Sequence, residues 1–328
     1  MRGGRPGVDA WEVNPKLKVV AAKQGGVFSS AQAADCGYTL EQVRRRLRDG
    51  RWERVRHGQY AESVDLSRLA PWDQQRQLHR RQVHAVVNSK RPESVAVSHQ
   101  SALVLHDLPL WGIGLEEVHL TRLDNFRGGL TGAVRHHRGK LAPGELTEVQ
   151  GLITTTLPRA VAETACTASF EAAVVIADAA VRRPQLSAEA IGKVLDVVEF
   201  WPGSPTARKA LAFADRRCES VGESRLRVLM NDQGLTAPML QVDFEDAAGF
   251  VGRVDFYFPE HNTVVEFDGL VKYSGGSAEA LIEEKRREDR LRALGVEVVR
   301  IIWSDLARPA EVAARIRQAF ARAARRTA

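Results

Sequence analysis

The sequence predicts a multi-domain α/β protein whose three parts differ in composition and hydrophobic periodicity. A basic helical segment with a short hairpin comes first, a region of mixed strands and Ala-rich helices follows, and a final segment combines strands with long helices. We expect a flexible arm at 1–14, a first domain at 15–62, a central α+β and helical module at 70–214, and a C-terminal α/β sheet domain at 219–322. A chain of 328 residues is long enough for this, because domains commonly hold roughly 100–200 residues.

The overall composition is that of a globular protein, with 44% hydrophobic and 27% charged residues. No apolar run approaches the roughly 20 residues that cross a bilayer, and the N-terminus lacks the apolar stretch of a secretory signal. Cys36, Cys166 and Cys218 are too few and too far apart for a disulfide framework or a structural zinc site. We therefore expect a cytoplasmic protein without membrane contact, and its net charge of +6 favours nucleic acid if the basic residues cluster.

Two capping boxes organise the first domain. Ser29 with Gln32, and Thr39 with Gln42, carry the hydroxyl and amide side chains that close a helix N-terminus reciprocally. Alternating residues around Trp52 then indicate a β-hairpin. The predicted elements are helices at 30–35 and 40–48 and a hairpin over 51–60. This order is that of a winged helix-turn-helix, in which a helix enters the DNA major groove and the hairpin contacts the backbone.

Basic side chains dominate the second of these helices and the hairpin. They are Arg44, Arg45, Arg46, Arg48, Arg51, Arg54 and Arg56. Guanidinium groups bind phosphate and read guanine, so this set predicts a double-stranded DNA interface. The alternative is a solvated basic helix, since charge runs are usually surface.

The central module contains several histidines but no recognisable metal motif. None pairs with another at i,i+4 beside a carboxylate, and His136 and His137 would point to opposite faces of a strand. We expect ordinary surface or capping histidines. The Ala-rich helices that follow, over 154–213, are apolar around most of their circumference and indicate a buried scaffold.

Four carboxylates of the C-terminal domain are predicted to converge. Glu223 lies near the start of a helix, and Asp255 and Glu266 lie on neighbouring strands joined by a turn at 259–262. Asp268 shares a strand face with Glu266, because strand side chains repeat every two residues. Clustered carboxylates raise one another's pKa, and a hard divalent cation such as Mg²⁺ offsets that repulsion. Such an ion can activate water against a phosphodiester.

Three segments of this domain resemble the very-short-patch-repair-like branch of the PD-(D/E)xK nucleases, which have a restriction-endonuclease-like α/β sheet. They are GRVDF at 252–256, VVEFDG at 264–269 and EKRREDRLR at 284–292. The resemblance implies that Asp255 and Glu266 bind Mg²⁺ or Mn²⁺, with Glu223 as a third, helix-borne carboxylate. Asp268 stands where that pattern has a lysine, so Lys285, or as an alternative Lys272, would supply the catalytic cation. The other interpretation is a degenerate site that does not cut.

The N-terminal part resembles AbiEi-type antitoxins and transcriptional regulators. The resemblance rests on QGGVFS at 24–29, RWERVRHGQYA at 51–61, VSHQSA at 97–102 and LPL at 108–110, and it covers about 16–200. It implies promoter binding and autoregulation in a toxin–antitoxin or phage-defence setting.

Two functions follow from the sequence. In the first, the winged helix targets a metal-dependent endodeoxyribonuclease to DNA. In the second, the protein is a transcriptional autoregulator or type IV antitoxin with a catalytically degenerate nuclease fold. Both predict duplex DNA as partner, and the second adds a cognate toxin. The Ala-rich helices leave open a homodimer.

Overall fold

The computed structural model describes residues 14–90, 94–124, 126–142, 144–269 and 278–327. The predicted flexible arm, apart from its last residue, and Lys272 lie outside these ranges. The chain forms two compact units, one of Met1–Leu108 with Ile113–Thr164 and one of Pro109–Gly112 with Ala165–Ala328. Both contain mixed helices and strands, so the predicted multi-domain α/β class is confirmed.

The first unit begins with a helix–strand region that has the layout of a winged helix. Its elements are α1 (Pro15–Ala22), β1 (Val27–Ser29), α2 (Ser30–Asp35), α3 (Leu40–Arg48), β2 (Trp52–Arg56) and β3 (Gln59–Glu62). The strands form an antiparallel sheet in the order β1-β3-β2. Leu17, Phe28 and Trp52 are buried between sheet and helices, and the Trp52 ring lies edge-on to Phe28. This small core fixes the orientation of α3.

The rest of the first unit is a helix-flanked sheet. Its elements are α4 (Pro71–Val87), β4 (Val95–Val97), α5 (His99–Leu105), β5 (Val118–Arg122), β6 (Gly129–Thr131), β7 (Val134–Arg138), β8 (Leu146–Val149), β9 (Leu152–Thr155) and α6 (Leu157–Ala165). The six strands lie in the order β6-β7-β5-β4-β9-β8, with β5 parallel to β7 and β4 parallel to β9. His99, His119 and His136 are buried here, so they are not the surface histidines that were one of the two expectations; His136 and His137 do point to opposite faces of their strand, as predicted.

The second unit opens with the predicted Ala-rich helices. They are α7 (Phe170–Val181), α8 (Ala188–Val197) and α9 (Ser204–Phe213). α7 is buried along most of its length, as its apolar circumference predicts. Its one acidic buried residue, Asp178, accepts hydrogen bonds from Arg227 at 2.7 and 2.9 Å and from the backbone N–H of Asp215 at 2.8 Å. Through Arg227, on the next helix α10, the scaffold helices join the sheet domain.

The sheet domain follows the predicted element order. Its elements are α10 (Val221–Asp232), β10 (Met239–Asp246), β11 (Gly249–Phe258), β12 (Thr263–Asp268), α11 (Ala278–Ala293), β13 (Glu297–Ile302) and α12 (Pro309–Thr327). The strands lie in the order β10-β11-β12-β13, antiparallel except for the β12–β13 pair. Every residue of β12 is buried, because α10 and α12 contact one side of the sheet and α11 the other. The carboxylates on β12 are therefore enclosed.

Candidate functional site

The two capping boxes form as predicted and set the start of α2 and α3. The Ser29 hydroxyl accepts from the backbone N–H of Gln32 at 3.1 Å, while the Gln32 side chain accepts from Ser29 N–H at 2.8 Å. Thr39 and Gln42 repeat the pair at 3.2 and 2.8 Å. Each box satisfies backbone N–H groups that the first helical turn leaves without partners. The turn between the helices is thereby held in place.

The predicted DNA-binding arginines differ in their exposure. Arg44, Arg45, Arg48 and Arg54 are exposed; Arg51 and Arg56 are half-buried. Arg46 is buried, with its guanidinium 5.1 Å from the ring centre of Tyr38 and 5.4 Å from that of Trp52. Arg46 therefore belongs to the domain core and corrects the predicted set. Helical periodicity explains the burial of Arg46, because Val43 and Arg46 are three residues apart and share the inward face of α3.

The wing is attached to the rest of the first unit. Glu53 on β2 forms an ion pair with Arg81 on α4. Arg51 at the start of the wing pairs with Asp49 at 2.6 Å, so part of its charge is offset locally. The exposed cations on α3 and on β2 thus stand on a fixed scaffold.

The second candidate site is the carboxylate cluster, which starts with a close helix–strand approach. Ser220 caps α10 and accepts from the N–H of Glu223 at 3.1 Å. A Cβ placed on Gly222 would lie 1.9 Å from Cε1 of Phe267, so only glycine lets α10 lie this near to β12. Glu223 consequently reaches the sheet and is buried.

Sheet register brings Asp255 and Glu266 together. Phe256 pairs with Val265 in the antiparallel β11–β12 ladder, which makes Asp255 and Glu266 the next opposed pair. Asp255 accepts from the N–H of Phe267 at 2.8 Å. The Asp255 charge acts on both Glu223 and Glu266, but the oxygens of the three carboxylates do not form a compact ligand group among the described residues.

Gln241 on β10 lies between two of the carboxylates. Its Nε2 is 3.1 Å from Oε2 of Glu223 and 3.5 Å from Oδ1 of Asp255. Burial first, and then the Asp255 charge, raise the pKa of Glu223 to about 7. Sequence reasoning missed this glutamine, although its place near the start of β10 puts it opposite the β11 carboxylate.

Among the described residues, two arginines contact the buried carboxylates of β12. Arg287 Nη2 lies 2.7 and 2.9 Å from the two oxygens of Glu266. Arg300 lies opposite Glu266 on β13 and reaches Asp268 at 3.2 Å. Lys285 is exposed on α11, and Arg287 is the cation of this helix that contacts Glu266. Leu291, one turn beyond Arg287, is fully buried, so this face of α11 packs against the sheet.

The cluster offers oxygen donors of the kind that Mg²⁺ prefers. However, both oxygens of Glu266 are bound by Arg287, and Arg300 balances Asp268 and also pairs with Glu284. A divalent ion at Glu266 would have to displace a guanidinium. In this arrangement arginine, and not a metal ion, offsets the carboxylate repulsion on β12.

The N-terminal helices and strands have the layout of a winged helix. Comparison with known families agrees: residues 16–63 match the family described as transcriptional regulator, AbiEi antitoxin. The chain thus carries an AbiEi antitoxin/transcriptional-regulator domain at its N-terminus, which confirms that part of the resemblance and indicates a regulatory, DNA-binding role.

Two relatives are uncharacterized proteins of Mycobacterium tuberculosis, from strains CDC 1551 / Oshkosh and ATCC 25618 / H37Rv. Each is 35% identical to this chain over 147 residues, which is 44% of this chain and 54% of the relative. The chain therefore spans about half the length of the curated relatives that it matches. Among the described residues, no helix is long and apolar enough to cross a membrane.

Proposed function

We propose that this protein is a DNA-binding transcriptional regulator of the AbiEi antitoxin type, with α3 as the helix that enters the major groove. The observation that carries the proposal is the exposed cationic stripe on α3. Arg44 and Arg48 are one turn apart, and Arg45 lies beside them, opposite the buried Val43. Arg54 adds an exposed cation on the wing. Together they match the backbone and groove contacts of a winged helix.

Neutralising the stripe tests this function. The full-length triple variant Arg44→Gln/Arg45→Gln/Arg48→Gln should bind a fluorescent duplex from its own promoter region more weakly. The slope of log K against log salt should become shallower by about 0.9 for each phosphate group that the variant no longer neutralises. The matched control replaces three exposed cations of α8 and α9, namely Lys193, Arg208 and Lys209. Equal affinities for the triple variant and the wild type would exclude the α3 interface.

In this proposal the C-terminal domain is a nuclease-like fold whose carboxylates are held by arginine and do not cut. A cognate toxin, or a second copy of the chain, would bind elsewhere on the protein. Repression of a reporter by the full-length protein from its own promoter, lost in the triple variant, would support autoregulation. Release of that repression by co-expression of a neighbouring toxin gene would support the antitoxin role.

A Mg²⁺- or Mn²⁺-dependent nuclease is the second candidate function. The position of Asp255 beside Glu223 and Glu266 favours it, because Mg²⁺ takes one or two carboxylate ligands and keeps several waters. Plasmid and linear DNA should be incubated with each metal, beside Asp255→Ala and Glu266→Ala. Cleavage that needs the metal and disappears in both variants would establish nuclease activity. Identical DNA patterns for wild type and variants would leave the regulator as the function.

A further inference from the structure

Three histidine side chains from separate elements meet inside the first unit. His99 begins α5, His119 lies on β5 and His137 on β7. One potential ligand nitrogen from each ring lies within 4.8 Å of those of the other two. His119 Nδ1 and His137 Nε2 are 2.9 Å apart, and the ring of His99 stacks on that of His137 with centroids 3.7 Å apart. Imidazoles gathered in this way form the donor set of zinc-class metals.

The strand register explains why these rings share one side of the sheet. In the parallel β5–β7 ladder, His119 is opposite Arg135. His137 is two residues beyond Arg135 and therefore points to the same side. His136 points to the other side, where its Nε2 lies 3.5 Å from Nζ of Lys90. Adjacent histidines on one strand thus have separate surroundings.

A serine hydroxyl and a buried carboxylate flank the first of the three rings. Ser98 Oγ is 3.1 Å from Nδ1 of His99, while Oε2 of Glu163 accepts from the backbone N–H of His99 at 3.2 Å and lies 3.5 Å from the same Nδ1. Arg159 holds the other oxygen of Glu163 at 2.8 Å. A carboxylate at one ring nitrogen turns the opposite nitrogen toward a metal, as in many histidine metal sites.

The Gln100 amide beside His119 fits the same scheme. Its Nε2 is 2.8 Å from Nε2 of His119, while its buried Oε1 has no hydrogen-bond partner among the residues that the structure describes. A metal on Nδ1 of His119 places the ring proton on Nε2. The amide can then turn over so that Oε1 accepts a hydrogen bond from that N–H, which satisfies a buried oxygen at the cost of the 3.4 Å contact between Nε2 and the Gly114 carbonyl.

We propose that His99, His119 and His137 bind one divalent zinc-class ion, with Glu163 and Gln100 orienting two of the rings. The terminal torsion of a histidine is soft, so the His99 ring can leave its stack and turn a nitrogen toward the other two. Three imidazoles leave the fourth tetrahedral position to water. The ion ties α5 to β5 and β7 and stabilises the sheet of the first unit.

Metal titration of the full-length, chelator-treated protein tests this site. Zn²⁺ in competition with a chromophoric chelator should bind at one ion per chain, and Co²⁺ should give the visible absorption of a tetrahedral nitrogen site. His137→Gln should weaken Zn²⁺ binding by more than about 10-fold, since losing a supporting residue alone typically costs 10–100-fold. His136→Gln is the matched control on the same strand and should bind Zn²⁺ as the wild type does.

Two results of the metal titration would overturn the proposed metal site. Binding by the wild type no tighter than by His137→Gln, or an equal loss in His136→Gln, would overturn the proposal. If circular dichroism shows that His137→Gln is unfolded, Glu163→Gln replaces it: a roughly 10-fold weaker Zn²⁺ affinity with a shifted Co²⁺ spectrum supports the site. A Glu163→Gln protein with wild-type affinity and an unchanged spectrum refutes it.

Discussion

Arg287 bonds both carboxylate oxygens of Glu266 through a single guanidinium nitrogen, at 2.7 and 2.9 Å. The contact joins α11 to the fully buried strand β12 and places a fixed positive charge among clustered carboxylates. Burial raises the pKa of Glu266 above its ordinary value, and the Arg287 charge limits that rise. Arg287 therefore favours the charged form of a carboxylate that burial disfavours.

Removing this arginine should destabilise the second unit. Arg287→Met leaves Glu266 buried without its main partner, which costs about 3–5 kcal/mol for a fully buried pair. Because the Arg287 side chain is 21% exposed, we expect a smaller loss of about 2–3 kcal/mol in the free energy of unfolding, measured with denaturant. The added change Glu266→Gln should recover much of the loss.

Arg253→Met provides the control, because its pair with Asp243 is half exposed at the sheet surface. It should shift the unfolding midpoint far less than Arg287→Met does. Equal shifts for the two variants would contradict a special role for the buried pair.

Glu223 should make the stability of the metal-free protein depend on pH. The ordinary glutamate pKa is 4.5, and in the folded protein that of Glu223 is about 7. Between these values the folded state binds the proton more tightly than the unfolded state does. The protein therefore becomes more stable as the pH falls from 7 to 4.5, and it loses this stability as the pH rises again. Glu223→Gln should remove this pH dependence, which amounts to a change of up to about 3 kcal/mol in the free energy of unfolding over this window.

Urea unfolding in EDTA at pH 4.5, 6 and 8 measures this effect as the difference between wild type and Glu223→Gln. The variant should gain stability relative to the wild type at pH 8. A difference that stays constant across the three pH values would show that Glu223 does not titrate in this range.

Much of the architecture could be predicted because it is specified locally. The capping boxes and the periodic apolar residues fix the bounds of α2 and α3, and those predicted helices coincide with the observed ones. Two-residue periodicity likewise places Glu266 and Asp268 on one face of β12. The turn between β11 and β12 then brings Asp255 beside Glu266 without any distant contact.

What escaped prediction depends on contacts distant in sequence. The sequence named Lys285 as the cation, but Arg287 is the α11 residue that contacts Glu266, because the rotation of α11 is set by Leu291 packing against the sheet. The approach of His99 to His137 depends on a parallel strand register and on Glu163, far along the chain. The helix α4 and the strands β8 and β9 also went unpredicted, since their short or mixed patterns are decided by tertiary packing.

Arg45 and Arg46 should respond to substitution in opposite ways, although they are neighbours on α3. Arg46→Met removes a guanidinium packed over Tyr38 and Trp52, which should lower the stability of the first unit by about 1 kcal/mol. Its DNA affinity, measured well below the unfolding temperature, should stay near that of the wild type. Arg45→Met should leave stability unchanged and weaken DNA binding. Thermal unfolding and fluorescence anisotropy on the same preparations distinguish the two, and a reversed pattern would move the interface to another face of α3.

Replacing each of two helical glycines of the second unit by alanine should change the free energy of unfolding in opposite directions. Alanine is the better helix former by about 1 kcal/mol, so Gly192→Ala, where an added Cβ meets nothing within 4 Å, should stabilise the protein. At Gly222 the added Cβ would lie 1.9 Å from Cε1 of Phe267. Relieving that overlap must push α10 away from β12 or rotate a buried ring, at a cost of about 1–3 kcal/mol.

Because Glu223 follows Gly222 directly, the displacement in Gly222→Ala should also lower the pKa of Glu223 toward the ordinary value by admitting water. Denaturant unfolding of both variants, repeated at pH 6 and 8, tests this coupling: a Gly222→Ala protein as stable and as pH-dependent as the wild type would show that the helix–strand approach does not set the carboxylate environment.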